Sequence, residues 1–548
     1  MRNRLGTFLL ISIAAAALLG GFLGGRVSAG PPLEKDNKDL LETFTEVFAT
    51  IQTGYAREIP SDQLIEHAIR GMLRTLDPHS SFFSTRDYDR LQEEQRGKYY
   101  GLGITIRPES PGSGRVVVVE PPIPGTPAFK AGLRAGDVIA KIEGKPIDDW
   151  ELNSEVIPNL KGPRGTSVNI TVERPGEEAS IDITVERDEI PMYTIKYAFR
   201  IRPKIGYVRI SRFAETTGRE LNAALEALGE DSLEGLLLDL RDNPGGALTQ
   251  ALEVSDRFLN EGETIVSTRT RTGSGDQDYR AKRPDKYHYP MVVLINENSA
   301  SASEIVSGAL QDHDRALILG ETSFGKALVQ TIYPLKGNRG LALTTGKYYT
   351  PSERLIQRDY SDSFYDYYND RSAQVTASRE EFFTDGGRVV YGGGGIAPDK
   401  EVELESLSKL VRQIQRKGYF REFASKIYSG EVPSKVLGEF PKDREHDILQ
   451  AERDEVFERF KMDSKTVDAF MDYVAAEGLN LPEDEVEENK DLIENLLAQE
   501  VLLLLVGEEA SYRVALELDS QVRTAIDLLP KAHTLLETSS EEDSSLGS

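Results

Sequence analysis

Residues 291–331 read "MVVLINENSASASEIVSGALQDHDRALILGETSFGKALVQT". "MVVLIN" has the apolar, β-branched character and the length of a buried strand. Ile305, Val306, Ala309 and Leu310 then recur at helical spacing, so Ser299, Ser301 and Ser303 fall where a strand turns into a helix. A second apolar run, "RALILG", follows, and after it a turn carries Lys326 between Gly325 and Ala327, with Gln330 four residues on. A helix N-terminus exposes unpaired backbone N–H groups and the positive end of the helix dipole, which stabilise an oxyanion as readily as they hold a capping serine. On this stretch alone, an N-cap and a nucleophile both remain open readings of the serines.

A serine nucleophile needs a base. None of the six histidines stands in a convincing partner context, and His313 lies toward the far end of the same helix. A lysine can serve, because desolvation among apolar neighbours such as Phe324, Ala327 and Leu328 favours the neutral amine. The plainer alternative is a surface lysine snorkelling beside a glycine turn.

Outward from this stretch, "IGYVRIS", "GLLLDLR", "MVVLIN" and "RALILG" alternate with helical segments across 191–400, the signature of a layered α/β core with parallel strands. Residues 97–190 change to short β segments broken by Gly and Pro turns, which predicts a small β-rich domain. Residues 36–95 read as helices, with Leu41, Phe44, Val47, Phe48 and Ile51 on one stripe, and look like packing material. Residues 401–537 return to helix, and "VLLLLV" at 501–506, too short to cross a membrane, reads as a buried helix or an oligomer contact. The last residues, 538–548, read as disordered.

Composition removes several chemistries. With 65 Lys plus Arg against 91 Asp plus Glu, the net charge of -26 and the absence of a basic run leave no footing for nucleic acid. There is no cysteine, so disulfides, thiolate catalysis and cysteine-based zinc sites are excluded together. The histidines never fall at a metal-ligand spacing, so neither metal nor other cofactor is expected. Arg2 and Arg4 precede an apolar stretch from Thr7 to Gly25, and Val27-Ser28-Ala29 offers a small-x-small cleavage site. Residues 1–29 therefore read as a signal peptide or an N-terminal membrane anchor, which predicts export to the periplasm; a buried N-terminal helix is the plainer alternative.

At this point "NSASASEIVSGALQDHDRALILGETSFGKALVQT" resembles the catalytic core of the C-terminal processing peptidases, or tail-specific proteases, which are PDZ-containing Ser/Lys endopeptidases. The resemblance continues through "LDPHSSFF", "GKYYGLGITI", "AFKAGLRAGDVIAKIEGKPI", "LLLDLRDNPGGAL" and "GGIAPDKEV", over roughly residues 40–400. It implies that Ser301 is the nucleophile, Lys326 the general base and Gln330 the residue that orients Lys326. It also places backbone amides of Gly245 or Gly246, and of Ala302, at the oxyanion hole. Ser299 and Ser303 would be turn and cap residues, Glu304 a first-turn dipole partner and Asp312 a supporting polar residue. In the β-rich region Tyr100, Gly101, Leu102 and Gly103 would bind a chain-terminal carboxylate, with Ala128, Ala131 and Leu133 lining the groove or packing the domain. Two positions depart from the family pattern: Asn298 and Ala327 stand where glycine is usual.

The expected fold class is thus α/β within an α+β multidomain chain. It has a layered parallel-sheet core of ClpP/crotonase-like type, an inserted PDZ domain over 97–190, and helical N- and C-terminal regions. The expected function is an exported serine endopeptidase that binds substrate C-terminal tails. Its partners would be proteins and peptides with accessible C-termini, the membrane if the N-terminal segment is uncleaved, and a second copy or an adaptor through the helical regions. A catalytically inactive PDZ scaffold that binds C-termini is the alternative. A crotonase-type acyl-CoA enzyme shares the layered core, but the export signal and the PDZ module argue against it.

Overall fold

The computed structural model describes residues 35–432 and 457–546, apart from short breaks at 110–112, 120–121, 124, 285–286, 288, 362–363, 370–379, 405 and 458. The basic and apolar leader at 1–29 lies outside the described residues, among which no helix is long and apolar enough to cross a membrane. The chain divides into two units, one ending at Asp77 and one running from Pro78.

The first unit contributes helices Lys35–Gly54 and Ser61–Leu73. Leu41, Phe44, Val47 and Ile51 of the expected stripe are exposed among the described residues, and Phe48 is half-buried. The helical region expected over 36–95 is also interrupted. Ser81–Phe83 is a strand that pairs antiparallel with Arg339–Tyr349, and helix Thr85–Arg96 follows it. Three residues are too few to show a strand period, and only the partner strand, some 250 residues on, selects this conformation.

The second unit is built on a six-stranded sheet in the order β1 (Ile195–Arg202), β2 (Ile205–Ile210), β3 (Gly235–Asp239), β4 (Met291–Ile295), β5 (Leu317–Gly320) and β6 (Lys400–Glu401). Every neighbouring pair is parallel except β1 and β2. Helices α1 (Thr217–Ala227), α2 (Leu248–Ser255) and α3 (Ala302–Asp312) share one core with Val208, Leu236, Leu238, Met291, Val293 and Ile318. The alternate residues Tyr207, Leu237, Val292, Leu294 and Leu317 point the other way, onto Leu516, Val522, Ala525 and Leu529. Those last residues belong to α4 (Glu508–Glu517) and α5 (Ser520–Leu546). A parallel sheet must be covered on both faces, and here the C-terminal helices supply the second cover. α5 also continues through 538–546, where the composition predicts disorder.

In the chain between β6 and α4, helices Lys409–Lys417, Tyr419–Ser429, Ser464–Ala476 and Lys490–Leu505 form a core of their own around Leu410, Ile414, Phe423, Phe470, Ile493 and Leu497. Val501, Leu502 and Leu504 of "VLLLLV" are buried, the buried-helix alternative for that run. The β-rich region is a separate sheet in the order Ile106–Pro108, Val116–Val118, Val138–Ile142, Ser167–Glu173, Ile181–Glu186, around Val116, Ile139, Ile170 and Val172. Strands Lys98–Gly101 and Asp188–Pro191, which lead into and out of it, pair with each other.

Candidate active site

The opening stretch places Ser301 at the N-cap of α3, immediately after the turn that leaves β4. Its backbone is in the left-handed half of φ/ψ space, φ 54° and ψ -110°, a conformation that costs a residue with a Cβ roughly 1–3 kcal/mol and persists only where the surroundings hold it. A capping serine has no need of it. The turn is sharp, as at a nucleophile elbow, and it sets the serine at the very tip of the helix.

Glu304 does most of the holding. It is fully buried, and its two oxygens accept four hydrogen bonds. Oε2 takes the backbone N–H of Ser301 at 2.7 Å and that of Lys326 at 2.9 Å. Oε1 takes the Ser323 hydroxyl and the Gly325 N–H, both at 2.6 Å. One oxygen shared between Ser301 and Lys326 brings their backbone nitrogens within two hydrogen-bond lengths of each other. Burial pushes the Glu304 carboxyl up to about 7, while the four donors pull the other way. The first-turn dipole role read from the sequence understates this residue. Its partners at 323–326 meet it only in the fold.

A second buried side chain joins the same two segments: the Tyr348 hydroxyl lies 3.2 Å from the Ser301 carbonyl oxygen and also bonds the Lys326 carbonyl. The Lys326 side chain is half-buried, and its Nζ donates to Gln330 Oε1 at 2.9 Å. Gln330 Nε2 in turn donates to the main-chain oxygen of His79 at 2.6 Å, and a bulge between Val329 and Gln330 aims the side chain there. His79 Nε2 is 2.7 Å from the Tyr367 hydroxyl. "LDPHSSFF" was part of the resemblance, but nothing local in the sequence says that its histidine carbonyl anchors Gln330.

The glycine turn approaches from β3. Gly245 has φ 97°, and a Cβ there would lie 2.8 Å from the Ser301 Cβ and 2.9 Å from the Ala302 nitrogen. Gly246 has φ 143°, and a Cβ there would lie 2.0 Å from the Phe213 carbonyl oxygen. The turn is therefore pressed against the head of α3 as only glycine allows. The Gly245 N–H is taken by Asn243 Oδ1 at 2.9 Å. The N–H groups of Gly246 and Ala302 have no acceptor among the described residues.

Other expected residues fall elsewhere. Ser299 bonds the Leu240 carbonyl and Ser303 that of Asn243, both structural contacts. Asp312 is an ion-pair partner of Arg354 at 2.6 Å, at the opposite end of α3 and about 16 Å from Ser301 by helix rise. His313 is held by Asp385 and the Thr264 carbonyl. Left-handed backbone falls on Gly325, φ 88°, and on neither Ala327 nor Asn298, so both departures from glycine fit without strain. In the β-rich domain, Tyr100 and Gly101 are part of the linker pairing, whereas the N–H groups of Leu102, Gly103 and Ile104 have no acceptor among the described residues. Ala128 and Leu133 are buried in that domain's core, with Ala131 packed against it.

Family models match three segments: the activating protease CtpB N-terminal domain at 27–86, a PDZ domain at 101–185 and peptidase family S41 at 204–361. Together with the fold they define a PDZ-bearing peptidase. A carboxy-terminal-processing protease of Bartonella bacilliformis is 46% identical over 59% of this chain and 74% of its own length. The carboxy-terminal processing protease CtpA of Bacillus subtilis is 31% identical over 65% of this chain and 76% of its own. The solved photosystem II D1 C-terminal processing protease is 26% identical over 68% of this chain and 94% of its own, at a TM-score of 0.35. The chain belongs to the carboxy-terminal processing proteases of peptidase family S41.

Proposed function

We propose that the protein is an exported serine endopeptidase that captures the C-terminal tails of substrates through its PDZ domain and cleaves them with a Ser301/Lys326 dyad. The supporting observation is the shared Glu304 carboxylate, which sets a strained serine at a helix tip beside a lysine loop whose amine is oriented by Gln330. Neutral Lys326 takes the proton of the Ser301 hydroxyl as Oγ bonds to the scissile carbonyl carbon. The negative charge that develops on the carbonyl oxygen is met by the N–H groups of Gly246 and Ala302. When the C–N bond breaks, Lys326 gives the proton to the leaving amine, and water, deprotonated by the same lysine, then hydrolyses the acyl-enzyme.

The PDZ part rests on three successive N–H groups at 102–104 without acceptors among the described residues, and on the edge strand Ile106–Pro108, which pairs on one side only among them. Such an arrangement holds a terminal carboxylate and adds the peptide as a further strand. Export rests on the basic and apolar leader, and a fusion of residues 1–40 to a periplasm-dependent reporter tests it.

The decisive experiment follows an unfolded reporter with an apolar C-terminus in the presence of wild type, Ser301→Ala and Lys326→Ala. Cleavage by wild type alone, with tail binding kept in both variants, is the expected result. Tail binding without cleavage by wild type would favour the scaffold alternative.

A further inference from the structure

The turn that carries Gly245 and Gly246 is gripped from behind by a part of the chain far outside the residues matched by the peptidase family. Arg241 follows β3 and is 5% exposed. Its Nε and Nη2 fork onto the carboxylate of Asp239 at 2.7–3.0 Å. The remaining arm, Nη1, reaches Asp519 Oδ2 at 2.7 Å and Gln521 Oε1 at 2.9 Å. Asp519 has a second task, since its Oδ1 accepts the N–H groups of Gln521 and Val522 at 2.9 and 3.0 Å and so caps α5. Gln521 is fully buried and donates to the Val402 carbonyl.

The next residue, Asp242, is held from the front. Its backbone is left-handed, φ 58°, and its Oδ1 accepts the side-chain amides of Asn296 and Asn298 at 2.8 and 3.0 Å. Arg209 bonds its Oδ2 and the Arg241 carbonyl. Asn243 then gives its carbonyl to Ala300 N–H and the Ser303 hydroxyl. Asp242 is the one residue of 242–246 that carries a Cβ at positive φ, while Gly245 and Gly246 take positive φ without strain, so the turn has a strained entry and a pliant tip whose position depends on what clamps its base.

We infer that Asp519, with Gln521, is a positioning residue for the oxyanion turn, acting through Arg241. This rests on the proposed role of the Gly246 and Ala302 amides. Without the Asp519 carboxylate, a buried guanidinium loses one arm of its support, and the Gly246 N–H drifts from the place where the oxyanion forms. Substrate tails are captured elsewhere, so the loss falls on kcat and leaves KM in place.

The test is Asp519→Ser, compared with Asp519→Glu. Serine still caps α5 but is too short to reach Arg241, which separates the two tasks of the residue. The expected result is a kcat per folded enzyme lower by roughly 10- to 100-fold at unchanged KM, as for a small misplacement of a catalytic group, with recovery in Asp519→Glu. Affinity for a peptide aldehyde, whose adduct with Ser301 carries the oxyanion, falls in the same proportion. If Asp519→Ser does not fold, Gln521→Glu, which keeps an oxygen for Arg241, compared with Gln521→Leu, which removes that contact, reads the same split, since both variants lose the bond to the Val402 carbonyl alike. Wild-type kcat and aldehyde affinity in a folded variant would overturn the inference, and so would an equal loss in KM. Failure of wild type itself to cleave, or cleavage by Ser301→Ala, would instead sink the proposed dyad.

Discussion

Replacing Glu304 by Gln separates its charge from its shape. In the folded protein its carboxyl titrates near 7 because it is buried, whereas an unfolded chain releases the proton near 4.5. The folded state therefore binds more protons between these values, and the contribution of Glu304 to stability is greatest below pH 4.5 and lost as pH rises through 7. The loss is on the order of 3 kcal/mol, from about 1.4 kcal/mol per pH unit. The amide of the variant does not titrate, so the stability of wild type relative to Glu304→Gln should fall by about that amount between pH 4.5 and pH 7.5. Shape gives the second half of the prediction. The amide NH2 must face one pair of donors, and it does least harm toward Ser323, whose hydroxyl can rotate to accept. The Gly325 N–H is then left unpaired at the head of the lysine loop, a cost of about 1–3 kcal/mol. Released as a displacement of Lys326, that lowers kcat about tenfold or more. Urea unfolding of both proteins across this pH range, with peptide cleavage at pH 8, measures both quantities. A flat stability difference together with wild-type turnover would refute the reasoning.

Gly246→Ala puts a methyl 2.0 Å from the Phe213 carbonyl on left-handed backbone, so cleavage should fall by at least about a hundredfold while fluorescence-monitored tail binding persists. Tyr348→Phe removes the hydroxyl that joins the Ser301 and Lys326 carbonyls and should cost about 1 kcal/mol of stability and several-fold in kcat, measured by thermal unfolding and initial rates. His313 titrates near 9: burial opposes its charged form, but the bond to Asp385, the nearby Glu263 carboxylate and the Thr264 carbonyl outweigh that. Its stabilisation is full below pH 6.5 and lost as pH rises through 9, on the order of 3 kcal/mol, and Asp385→Asn should flatten that part of the unfolding curve.

The strands and α3 were legible because apolar runs and helical spacing are local, and the resemblance supplied Ser301, Lys326 and Gln330. What could not be read was which residues meet. Glu304 looks like any acidic residue in a first helical turn until residues 323–326 fold back on it, and the His79 carbonyl lies about 250 positions from Gln330 in the chain. The helical period of α5 is plain, but periodicity does not say what a helix faces. Taken for part of a separate extension, α5 proves to be a layer of the sheet. The three-residue strand at Ser81 was lost in a helical region for want of length.

That layer also sets an order in time. As the chain is made, β2 through β5 are complete once residue 320 has emerged, but Tyr207, Leu237, Val292, Leu294 and Leu317 still lack their cover, which arrives only with residues 516–532. A nascent chain shorter than this bears an apolar sheet face and an Arg241 without Asp519, so the peptidase domain cannot finish folding until residue 532 has emerged, some two hundred residues after its last central strand.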